Sequence, residues 1–100
     1  MAYKFKRQKL KVWELSFSDE GTTYTVPLVS SLPQPWVLRI NRITTLPEDE
    51  RGPAWIQFAC DLFEEYLGDV AKTLTLEEVS TLFDAWNEAN EEADGATPGE

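Results

Sequence analysis

One hundred residues with 42% apolar and 12% aromatic side chains make one folded domain, too apolar for a disordered chain and too short for a core plus a second domain enclosing a catalytic cleft. A formal charge of -9 and the complete lack of histidine exclude the commonest general base, the Ser-His and Cys-His nucleophile pairs and most zinc sites. Cys60 is the single cysteine, so no intrachain disulfide forms and a reducing compartment is expected.

The chain opens on Lys4, Lys6, Arg7, Lys9 and Lys11 interleaved with Tyr3 and Phe5. No apolar h-region follows this basic segment and no run approaches the roughly 18 apolar residues of a membrane span, so neither export nor membrane insertion is expected. The charge is divided: residues 1–50 hold seven basic and six acidic side chains, whereas residues 51–100 hold two and twelve. A basic arm therefore precedes an acidic body. Lysines with aromatics neutralise phosphates and stack on bases, but a body of this sign repels a polyanion, so nucleic-acid binding is not expected. Two other readings of the arm stand: an edge strand whose lysines discourage unwanted pairing, or a segment that docks on an acidic protein surface. Self-association with another copy's acidic C-terminal half is one form of the second.

From Trp13 the pattern has a period of two, with Trp13, Leu15 and Phe17 on one face, resuming as Tyr24, Val26 and Leu28. Ser18-Asp19-Glu20-Gly21 lies between, with Asp to start a turn and Gly to close it. This predicts an antiparallel β-hairpin with an apolar stripe. Tyr3 and Phe5 share its odd phase while Leu10 and Val12 do not, so the first strand either bulges or starts late. Pro27 lacks an amide donor, which places the second strand at a sheet edge or at its own end.

Pro33 and Pro35 suit a helix start. Trp36, Val37, Ile40 and Ile43 follow at helical spacing, and Pro47 forbids continuation. Glu48 to Gly52 reads as a polar connector. Pro53 then opens a second helix with Trp55, Ile56, Ala59, Leu62, Phe63, Tyr66 and Leu67 as its apolar positions and Gly68 as its stop. Cys60 falls among these and reads as a core thiol.

The third helix, Thr75 to Asn90, carries the strongest local signals. Thr75 and Glu78 form a T-x-x-E capping box, with Leu74 and Val79 placed as a hydrophobic staple. Val79, Leu82, Phe83 and Trp86 recur at i, i+3, i+4 and i+7. The cap contributes about 1 kcal/mol, whereas burying four such side chains contributes roughly 6 to 10 kcal/mol at about 1.5 to 3 each. The stripe must therefore lie on a surface, either the core or a partner, and the four residues are the candidate protein-binding positions. Of the four tryptophans, one per element, most are expected to meet in a shared centre. The domain is expected over residues 1–92, with residues 93–100 as a flexible acidic tail.

No catalytic, cofactor or metal site is expected. The adjacent carboxylates Glu64-Glu65, Glu77-Glu78 and Glu91-Glu92 diverge by about 100° on a helix and do not converge on one site. The five glycines stand apart, unlike a phosphate-binding loop.

The order of elements resembles the tail assembly chaperones of long-tailed bacteriophages, especially those of actinobacteria. The resemblance rests on Tyr24 to Pro33, a strand ending in proline before a helix, and on Leu74 to Asn90 with Leu82, Phe83, Trp86, Glu88 and Ala89, followed by a small-residue tail ending in Gly99-Glu100. The elements themselves, an N-terminal hairpin followed by about three helices, make an α+β fold. The resemblance implies a non-enzymatic protein of the infected host's cytoplasm that binds the tape-measure protein and keeps it soluble while tail-tube subunits assemble. Such a protein is absent from the finished virion and is often made in a second, frameshifted length. The rival expectations are an acidic nucleic-acid mimic that inhibits a DNA-binding enzyme and a structural tail or neck component.

Overall fold

The computed structural model describes residues 2–7, 9–17 and 21–95, with side chains through residue 93. The expected turn residues Ser18, Asp19 and Glu20, and residues 96–100 of the expected tail, lie outside these. The fold is α+β: a two-stranded antiparallel hairpin precedes three helices.

Strand β1 (Val12–Ser16) pairs with β2 (Thr23–Pro27) in the register Trp13 to Val26 and Leu15 to Tyr24. One phase of the alternating pattern is thereby laid against the helices, ending in fully buried Val26, while Glu14 and Thr25 face outward. Phe17 extends the stripe past the strand end and meets the Tyr24 ring edge-on at 5.9 Å. Of the two openings the sequence allows, the late start holds: residues 2–7 and 9–11 form no regular strand. The Leu28 N–H still donates to the Lys11 carbonyl at 2.9 Å, and the Lys11 N–H donates to Ser31 Oγ at 2.7 Å. The root of the arm is thus tied down beside the 3-10 turn Val29–Ser31. Pro27 closes β2, where its missing donor costs nothing.

Helix α1 (Gln34–Thr44) follows Pro33 with Pro35 in its first turn, as the prolines predict. Ile43 is buried and Trp36, Val37 and Ile40 are half-buried. Helix α2 (Glu48–Leu67) corrects the sequence reading, since it begins at Glu48 and not at Pro53. Pro47 takes the N-cap position, Glu48, Asp49 and Glu50 match the positive end of the helix dipole, and Arg51 Nε donates to the Leu46 carbonyl at 2.8 Å. The supposed connector is therefore the first turn. Pro53 sits inside the helix, removing the amide that would reach back to residue 49. The helix withstands that loss because Phe58, Ala59, Leu62, Phe63 and Leu67 beyond it are buried. Ile56, expected on the apolar face, is exposed. Gly68 stops the helix at φ 74° and ψ -143°, a conformation that only glycine adopts without strain.

A 3-10 helix (Gly68–Thr73) leads to α3 (Leu76–Gly95). The capping box forms reciprocally: the Thr75 N–H donates to Glu78 Oε1 at 2.9 Å and the Glu78 N–H donates to Thr75 Oγ1 at 3.1 Å. Replacing Thr75 by Ala leaves one of these donors without its partner and is expected to cost about 1 kcal/mol, read as a lower urea midpoint at unchanged m-value. At its other end α3 outruns the expected boundary at Asn90. Residues 91–95 are helical, including the first three of the supposed tail. Glu91, Glu92 and Ala93 are good helix formers, and loss of the apolar stripe does not by itself end a helix.

The core lies where the hairpin's inner face, α2 and α3 converge. Phe58 is its aromatic hub, meeting Trp36 and Trp55 edge-on at 5.7 Å each, Phe83 at 6.1 Å and Trp86 at 6.4 Å. Three of the four tryptophans share this centre, as expected, while Trp13 packs on the core from the hairpin without a ring contact to them. The Arg39 guanidinium lies 5.6 Å from the Phe58 ring centroid and reaches Asp61 Oδ2 at 2.7 Å, joining α1 to α2. No helix among the described residues is long and apolar enough to cross a membrane.

Candidate protein-docking surfaces

Helix α3 is held in place by its side chains reaching the backbone of residues 27–29. Trp86 Nε1 donates to the Pro27 carbonyl at 3.0 Å. Asn90 Oδ1 accepts the Val29 N–H at 2.8 Å, while its own Nδ2 donates to the Trp86 carbonyl at 3.0 Å. These bonds explain why the polar Asn90 is half-buried, and they fix the rotation of α3 about its axis.

That rotation decides the fate of the four candidate binding residues. Val79 is 4% and Trp86 1% exposed, so both belong to the core and are closed to a partner in this conformation. Phe83 stacks on Trp86 at 5.7 Å with 20° between the planes and leans on Trp55 at 5.9 Å; it is half-buried. Leu82 is also half-buried, and it opens sideways into a cleft.

The cleft, of about 340 Å³, runs between Phe17, just past the end of β1, and the first turns of α3, and is lined by Phe17, Leu74, Glu77, Glu78, Thr81 and Leu82. Its floor is apolar and its α3 rim is anionic. The field extends along the whole helix, because α3 carries seven acidic residues and no basic one. An apolar floor with charge of one sign at its edge is suited to a segment that brings apolar side chains flanked by cations.

A second recess of about 300 Å³, on the α2 side of Leu74 and Val79, contains Cys60 and Phe63 with Glu64 and Lys72 at its mouth. Lys72 Nζ there is 3.5 Å from Glu64 Oε2. Burial, and behind it the Asp61 and Glu64 carboxylates, push the Cys60 thiol above its ordinary value. Since the thiolate is the nucleophile, Cys60 in the native protein should react with iodoacetamide more slowly at mildly alkaline pH than in the urea-unfolded chain. Its rate should also rise at higher pH. Equal rates in the two states would contradict this assignment.

The third exposed feature is the arm. Tyr3 is 87% and Phe5 72% exposed, and their rings lie 6.5 Å apart. Phe5, Lys6, Arg7, Lys9 and Leu10 form one side of a shallow depression whose other side is the 3-10 turn at Ser30 to Leu32. No described ion pair involves an arm residue. Among the described residues no group of three or more Cys, Asp or Glu side chains is placed to hold a metal ion.

Helix α3 and its stripe are legible in the sequence, but the cleft is not. Leu74 was legible only as a staple and Phe17 only as a hairpin residue, and their meeting depends on how the hairpin lies across α3. No family model, no curated protein and no solved structure matches this chain.

Proposed function

We propose that this protein is a non-enzymatic assembly chaperone whose cleft between Phe17 and Leu82 holds an amphipathic segment of a client. The observation that carries this reading is an open apolar cleft beside the core, with carboxylates along its rim. Apolar surface receives the client, and the acidic helix keeps the complex soluble. The resemblance of Tyr24 to Pro33 and of Leu74 to Asn90 narrows the client to the tape-measure protein of a long-tailed bacteriophage, bound in the host cytoplasm and released before the virion is complete.

Co-expression with the tape-measure protein tests the reading. A soluble complex is expected, and it should weaken when Glu77→Lys and Thr81→Lys reverse the rim, because both residues are exposed and neither belongs to the core. A client that stays insoluble and unbound, or a complex indifferent to the rim, would contradict it.

A further inference from the structure

We propose that the arm, residues 3–11, of one copy docks in the Phe17–Leu82 cleft of a second copy, and that reciprocal exchange of the two arms closes a dimer. The proposal shares its cleft with the client-binding reading but rests on separate observations.

The first is chemical complementarity. The arm carries five basic residues and no acidic one between Tyr3 and Lys11, whereas α3 is acidic throughout. Tyr3 and Phe5 alternate with Lys4 and Lys6, so in an extended conformation the two rings share one face. That face suits a floor made by Phe17, Leu74 and Leu82, while the lysine stems are long enough to reach Glu77 and Glu78 at the rim. The second is that both partners have contacts to spare: the two rings are exposed, and no described ion pair engages the arm's cations or the Glu77 and Glu78 carboxylates, although Glu78 Oε1 already accepts the Thr75 N–H.

The third is where the arm is rooted. Lys11 is bonded to Leu28 and Ser31 at one end of the hairpin, and Phe17 lies at the other, beyond the five residues of β1 at about 3.3 Å each. An arm seated in its own cleft would have to double back along the whole strand. A second copy in antiparallel orientation brings its arm to the cleft directly, and the same operation delivers the first arm to the second cleft. Such a contact is isologous and closes at two subunits.

Sedimentation equilibrium of the full chain tests this. The weight-average mass is expected to rise with concentration from 11.4 kDa towards twice that value, with a dissociation constant at least about tenfold higher in 500 mM than in 50 mM salt. The arm variant Lys4→Glu, Lys6→Glu, Arg7→Glu, Lys9→Glu and the rim variant Glu77→Lys, Thr81→Lys should each remain monomeric. Mixed together they should associate again, since an acidic arm then meets a basic rim. A wild-type mass of one chain at every concentration would overturn the proposal, as would a dimer unaffected by either variant or a mixture that fails to associate. Client capture by the monomeric arm variant reads the other claim separately: a soluble complex with that variant leaves the chaperone reading intact even if the dimer fails.

Discussion

Trp86→Ala is expected to abolish cooperative folding. The indole is 1% exposed and stacks on Phe83, and truncating a buried Trp costs about 3 to 5 kcal/mol through lost transfer energy and the cavity left behind. The substitution also strands the Pro27 carbonyl, the acceptor of Trp86 Nε1, which adds about 1 to 3 kcal/mol if no water reaches it. Together these rival the roughly 5 to 15 kcal/mol that holds a domain of this size. Trp86→Phe separates the two effects. It keeps most of the ring packing and loses the hydrogen bond, so a folded protein with a melting point lower by about 4 to 8 °C for each kcal/mol is expected. Retention of full stability by Trp86→Ala, with loss of client binding alone, would return this residue to the docking surface.

Phe58→Ala is expected to be comparably severe for a different reason. Phe58 makes no hydrogen bond through its side chain, but it is 0% exposed and is the one ring that touches Trp36, Trp55, Phe83 and Trp86. Its removal opens a cavity against α1, α2 and α3 at once, costing about 3 to 5 kcal/mol. The ring pairs, worth about 0.5 to 1.5 kcal/mol each, overlap with that figure and do not simply add. Phe58→Leu should fold with smaller loss, since volume is nearly kept, yet it should flatten the near-ultraviolet circular dichroism of the tryptophans, because the asymmetric ring packing goes. An unchanged near-ultraviolet spectrum in Phe58→Leu would show that Phe58 does not organise the cluster.

What was legible in the sequence was what short-range physics decides. The capping box at Thr75 and Glu78 involves residues three apart, and the hairpin's alternating stripe needs only the pleat of each strand; both are present with the expected partners. At the start of α2 two local signals compete. Pro53 marks a favoured first-turn residue, but Pro47 followed by three acidic residues marks a better N-terminus, and the buried segment beyond Pro53 is strong enough to carry a proline inside the helix. The apolar stripe of α3 ends before the helix does, because residues such as Glu92 and Ala93 extend a helix without packing.

The candidate site was half legible for a related reason. Periodicity identifies which residues of α3 share a face, but whether that face meets core or partner depends on the helix's rotation. The rotation is fixed by contacts across the chain: Trp86 to Pro27 and Asn90 to Val29. Those contacts close Val79 and Trp86 and leave Leu82 opening beside Phe17. The chemistry of a docking face was thus readable, and its position one step round the helix was not.

Hydrogen exchange of the full chain, with and without its bound client, tests the central claim most directly. Protection is expected to rise at the amides around Phe17 and from Leu74 to Leu82, while the Trp86 to Asn90 turn, already held by its bonds to residues 27–29, stays unchanged. Protection gained elsewhere with this cleft unaffected, or opening of the Trp86 turn on binding, would contradict it.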